Sequence, residues 1–230
     1  MKKNALGFYF LSLSLFALFS CNTDSKKADQ MLQAAENVVE QLPDSALRLL
    51  DSIPDPYELN ERQQAKYFLL SVEAKDKTGK DISNDTPIFR SMEYFKKTKD
   101  LRRCALAVFY SGRVLESQKK SKEALTAFLE AESIAVSAQD PSITGFIRYN
   151  IGDAYSGNGL YEDAISKLKQ ASENFSRQPD DYKKEIMSLN FIGMNYAIIN
   201  NMDSALFYFN KSFPLKIPRS FQASPSHESL

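Results

Sequence analysis

Two cysteines, one histidine and a few neighbouring carboxylates are the residues of this 230-residue chain whose types could do chemistry. The histidine, His227, stands among serines and a proline near the C-terminal end. One imidazole so placed excludes a histidine-based metal cluster and leaves no Ser-His-Asp or Cys-His arrangement for nucleophilic catalysis. Glu130 with Glu132, and Asp180 with Asp181, fall on a helix surface and in a turn, where solvation accounts for them. The glycines are dispersed, so no glycine-rich loop is available to cradle phosphate. Lys96-Lys97 and Lys119-Lys120 are balanced by nearby acids, and 29 basic residues face 29 acidic ones. Such a balance offers nothing to draw nucleic acid. The inventory argues against an enzyme, and no cofactor or metal is expected.

Cys21 is different, because of what precedes it. Met1-Lys2-Lys3 is a short positive region, and Ala5 to Phe19 is an apolar run broken only by Gly7, Ser12 and Ser14. At ~1.5 Å per helical residue the run is too short to cross ~30 Å of hydrocarbon. Its layout is that of a secretory signal over residues 1–20. Leu18-Phe19-Ser20-Cys21 resembles the lipobox of bacterial lipoproteins, with Phe19 bulkier than the residue usual there. That resemblance implies a diacylglyceryl group on the Cys21 thiol, cleavage before it and acylation of the new amine. A plain secretory signal and an uncleaved anchor are the competing readings. Residues 21–27 continue as a polar stretch without helical periodicity, the expected tether. Several acyl chains, at ~0.8 kcal/mol per buried CH₂, would hold the protein firmly to a membrane. With Cys21 lipidated no disulfide is expected, and Cys104 is read as a buried small hydrophobe.

The elements that follow read as helices in a repeat. Ser111-Gly112-x-x-Leu115 precedes Ala124-x-x-x-Phe128-x-x-Ala131. Ile151-Gly152-x-x-Tyr155 precedes Ala164-x-x-x-Leu168-x-x-Ala171. Ile192-Gly193-x-x-Tyr196 precedes Ala205-x-x-x-Phe209-x-x-Ser212. Each glycine stands 12 residues before its alanine, and the glycines are 40 and 41 apart. A glycine in a first helix permits a close approach by the second, and the alanine does the same from the other side. The large residue four positions on shares the alanine's face and fills the space between units. An ordinary helical bundle would account for amphipathic helices but not for this spacing.

The pattern resembles the tetratricopeptide repeat, with the family's Trp replaced by Val108, Arg148 and Leu189 and a pitch longer than the usual ~34 residues. It implies an all-α fold: a right-handed superhelix, or α-solenoid, of about five stacked pairs. Residues 101–213 hold three clear repeats. Residues 28–100 hold two degenerate pairs, Ala28–Leu42 with Asp44–Ile53 and Glu61–Lys75 with Ile88–Lys97. Residues 214–230 carry three prolines and cannot extend a helix. A partner covering the last pair, a tail folded back, or a shortened form of a longer protein would each explain them, and the third is favoured.

In the resembled family the first helices line a concave groove. Carried onto this chain, that implies Phe109, Arg113, Tyr149, Asp153, Asn190 and Met194 as groove residues, a mixed surface suited to a peptide segment or protein partner. Packing between the helices themselves is the other reading for Phe109 and Tyr149. The expected function is a non-catalytic interaction scaffold, anchored through Cys21 in the bacterial cell envelope, with the outer membrane as its expected place. A sensory repeat region of a membrane signalling protein is the alternative. A glycan-capturing lipoprotein is a weaker third, since the Trp-rich platforms of such proteins have no counterpart in a chain without Trp.

Overall fold

The computed structural model describes residues 25–216, so Cys21, the apolar run before it and His227 lie outside the described residues. The described chain is all-helical, without a strand. Its helices are α1 (residues 25–38), α2 (Pro43–Asp51), α3 (Glu61–Lys77), α4 (Ile88–Thr98) and α5 (Leu101–Ser117). They continue as α6 (Ser121–Ser137), α7 (Pro141–Gly157), α8 (Tyr161–Ser176), α9 (Tyr182–Ile198) and α10 (Met202–Ser212). A short 3₁₀ turn over Pro214–Lys216 follows. Residues 25–27 are helical and belong to α1 rather than to an irregular tether. Ala28, on the same helix, is buried.

Proline and polar caps set the helix ends. Pro43 opens α2 and Pro141 opens α7, where a missing N–H costs nothing. Asp140 Oδ1 accepts from the Ile143 N–H at the start of α7, and Asn60 Oδ1 accepts from the Gln63 N–H at the start of α3.

One turn recurs. After α3, α5, α7 and α9 the chain passes through a left-handed residue: Gly79 (φ 69°), Lys119 (φ 62°), Gly159 (φ 77°) and Asn200 (φ 58°). In each case the next N–H reaches back five residues: Lys80 to Lys75 O, Lys120 to Leu115 O, Leu160 to Tyr155 O and Asn201 to Tyr196 O. These are the bonds that close a helix on a left-handed residue and satisfy its last carbonyls. The turns lie 40, 40 and 41 residues apart, so the pitch is as regular in the turns as in the small residues of the helices.

The chain forms two compact units, one up to Lys99 together with Arg113–Lys120, the other Asp100–Gly112 together with the residues from Ser121 onward. The core of the first joins Leu32, Ala35 and Val39 of the first hairpin to Ala46, Leu47 and Leu50 of α2 and Leu70 and Ala74 of α3. Lys66 of α3 pairs with Glu36 at 2.7 Å over this core.

In the second unit Phe109 is fully buried, its ring 5.3 Å from Phe128 and 5.1 Å from Phe146. A second cluster joins Ile165 and Leu168 of α8 to Ile192 of α9. Cys104 is a buried thiol. Glu132 and Asp181 are buried rather than solvated, because basic side chains are brought against them. Glu132 of α6 clamps three helices together, accepting from Arg148 Nε of α7 at 2.8 Å and from Lys167 Nζ of α8 at 2.6 Å. Burial alone would raise the Glu132 carboxyl, but the hydrogen bonds and charges of Lys167 and Arg148 prevail and hold it below the usual range.

Candidate functional site

The repeated small residues hold the helix pairs close. A Cβ on Gly112 would stand 2.6 Å from Phe128 Cε1, and one on Gly193 2.7 Å from Phe209 Cε1. On Gly152 it would stand 2.7 Å from Leu168 Cγ and 3.3 Å from Ala164 O. Ala124, Ala164 and Ala205 are all buried at the facing positions. A further close approach joins Gly145, at the start of α7, to the Phe175 ring. It lies outside the glycine–alanine pattern, and only the tertiary fold pairs these two.

Tyr155 and Tyr196 are half-buried. Tyr196 stacks on Tyr208 of α10 with centroids 5.6 Å apart and planes at 17°. Lys169 Nζ of α8 donates to the Tyr196 hydroxyl at 2.9 Å and sits 5.5 Å from the Tyr208 centroid. The cation thereby joins α8 to the ring stack.

These contacts fix which faces of α7 and α9 remain open. Asp153 is exposed on α7, and Met194 is more than half exposed on α9. Tyr149 lies beside them, half-buried, its ring 5.8 Å from Phe191. Burial pushes the Tyr149 phenol up, and the Asp153 carboxylate adds to the shift. Met187 and Ile198 extend the exposed row on α9. Met187, Phe191, Met194 and Ile198 follow one another at intervals of four, three and four residues, the spacing of one helical stripe. That stripe was available in the sequence. The offset from the glycine reaches only Met194, and Met187, Phe191 and Ile198 show only in the helical spacing.

The remaining groove candidates are placed elsewhere. Phe109 packs among Tyr110, Phe128 and Phe146 and presents no surface, because the small residues around it leave an aromatic-sized space inside the pair. Asn190 is half-buried and its Oδ1 accepts from the Ser212 hydroxyl at 2.7 Å, which ties α9 to α10. Arg113 belongs to the first unit, where its Nη2 and Nε lie 3.0 and 3.2 Å from Asp76 Oδ1, and it also pairs with Glu116. Burial pulls its pKa down, but the hydrogen bonds and charges of Asp76, with Glu116, carry it above the ordinary value. Its guanidinium is committed to these acids rather than held out to a ligand.

No group of His, Cys, Asp or Glu among the described residues has the geometry of a metal site. No described helix is long and apolar enough to cross a membrane.

No protein-family model and no curated protein matches the chain. Solved structures do. Aspartyl phosphate phosphatase F from Bacillus subtilis superposes with a TM-score of 0.68 at 16% identity, over 92% of this chain and 55% of that one. BtubC from P. vanneervenii does so with 0.62 at 9% identity, over 91% and 95%. The STAND signal transduction ATPase with a tetratricopeptide repeat sensor from Pyrococcus horikoshii gives 0.63 at 18%, over 84% and 30%. The fold is thus an all-α solenoid of tetratricopeptide-like helix pairs. At these identities the likeness speaks for architecture alone.

Proposed function

We propose that the chain is a non-catalytic binding scaffold that presents the open stripe of α7 and α9 to a peptide segment or helix of a protein partner. The observation that carries this is the exposed row Met187, Met194 and Ile198 on α9, joined through the Phe191–Tyr149 contact to α7, where Asp153 is exposed, on helices held close by the glycine contacts. Methionines adapt to varied apolar surfaces, and one carboxylate at the edge sets a preference for a segment with a basic group near its apolar residues. The fold class, known for arrays that bind along their concave side, supports the same reading. Anchoring through acyl chains on Cys21, in the outer membrane of a bacterial envelope, belongs to this proposal and rests on Leu18-Phe19-Ser20-Cys21.

Affinity capture from envelope extracts tests the face, with the intact chain compared against Asp153→Lys and Met194→Lys. The expected result is loss of the same partner from both variants with no change in thermal midpoint. Equal recovery from all three chains removes the assignment. The anchor is tested separately by metabolic labelling with a fatty acid, expected in the intact chain and abolished by Cys21→Ser.

A further inference from the structure

Helix α10 and its C-cap residue Phe213 carry a second apolar stripe, on a different element from the α7–α9 face. Met202, Leu206, Phe209 and Phe213 are 54%, 59%, 36% and 64% exposed. They follow at intervals of four, three and four residues, the seam spacing by which one helix packs along another. No charged side chain interrupts them.

The chain itself shows what such a seam accepts. Aligning Ala205 with Ala164 sets Leu206, Phe209 and Phe213 in register with Ile165, Leu168 and Ser172 of α8. Those three are buried, and Ile165 and Leu168 cluster with Ile192 of α9, the next helix in the chain. Consecutive helices joined by a short link run antiparallel. The α10 seam is therefore shaped to receive an antiparallel helix in the position α9 takes on α8.

We infer that this seam is a self-association surface: the α10 helices of two copies pack antiparallel about a two-fold axis. A two-fold copy of α10 runs antiparallel to the first by symmetry, so it meets the directional requirement without another element. In the matching register Leu206 faces Phe209 of the second copy, and Met202 faces its Phe213. Asp203, one residue beyond the seam, falls beside Asn210 of the second copy, whose amide can donate to the carboxylate. The two Asp203 carboxylates stay apart at opposite ends of the pair. The four seam side chains expose on the order of 400 Å² per copy, and both copies with their flanks reach the about 1,000 Å² of a specific contact.

The test is sedimentation of the intact chain in an excess of detergent micelles, where chance sharing of a micelle is the same for every variant. The intact chain is expected to dimerise in the micromolar range. Met202→Lys and Phe213→Glu should each weaken association about tenfold or more. Combining them sets the introduced ammonium against the introduced carboxylate at both ends of the pair. It should restore a dimer that high salt weakens again. Both positions are more than half exposed, so helical circular dichroism should be the same in all four chains. A monomeric intact chain overturns the inference and leaves another occupant for the seam. So does equal association of all four chains, or a double variant no better than the single ones.

Discussion

Gly152 lies so close to Leu168 that a side-chain carbon on it would stand 2.7 Å from Leu168 Cγ, well inside van der Waals contact. Gly193 has the same relationship with Phe209, also at 2.7 Å. The two contacts differ in freedom, because Leu168 is fully buried whereas the Phe209 ring is partly exposed.

Gly152→Ala should therefore destabilise the protein by about 1–3 kcal/mol, the usual penalty for an added carbon in a packed interior. Gly193→Ala should cost less than about 1 kcal/mol, since the ring can swing outward and alanine is the better helix former. Urea unfolding of the two variants distinguishes them. Equal losses would contradict the asymmetry between the two contacts.

The Glu132 clamp makes stability depend on pH. Its carboxyl is depressed in the folded state, so the unfolded chain binds the proton more tightly. The stabilisation is complete above the ordinary glutamate value of 4.5 and is lost as pH falls through the lower folded value. Glu132→Gln should remove this dependence and lower stability by about 1–3 kcal/mol near neutrality, leaving Arg148 and Lys167 without their anion. Thermal midpoints measured from pH 7 downward should converge for the two proteins under acid conditions.

Tyr149 reports on the binding face directly. Its phenol is raised above 10, first by burial and then by Asp153. In alkaline difference spectra it should ionise later than an exposed tyrosine, and Asp153→Asn should bring it partway back. By linkage, its contribution to stability is present below pH 10 and fades as pH rises through the folded value. An unchanged titration in Asp153→Asn would mean that the carboxylate lies too far away to act.

Arg113→Met tests whether this guanidinium is structural. It would leave Asp76 and Glu116 facing each other without a cation. The Arg113 side chain is about one-third exposed, so solvent screening limits the loss to about 1 kcal/mol. Partner capture should persist in this variant while Asp153→Lys abolishes it.

Periodicity carried the architecture into the sequence. Gly112, Gly152 and Gly193, with an alanine 12 residues after each, announce helix pairs because close backbone approach demands small side chains at both contact points. Pro43, Pro141 and Asn200 mark helix ends for equally local reasons. Before residue 100, α2, α3 and α4 begin and end within two residues of their expected bounds, whereas the first helix ends at residue 38 rather than 42.

Only the folded arrangement could decide which side chains stay open. Phe109, Tyr149 and Asn190 occupy the same place before their glycines, yet one is sealed inside a ring cluster, one lies half-open beside Phe191 and one is tied to Ser212. Arg113 and Asp153 likewise share a register, but Asp76, 37 residues upstream, draws Arg113 into an ion pair while Asp153 stays exposed. A local pattern fixes the face a residue occupies on its own helix. Its exposure depends on the size and charge of what distant segments bring against that face, which the spacing of residues along the chain does not encode.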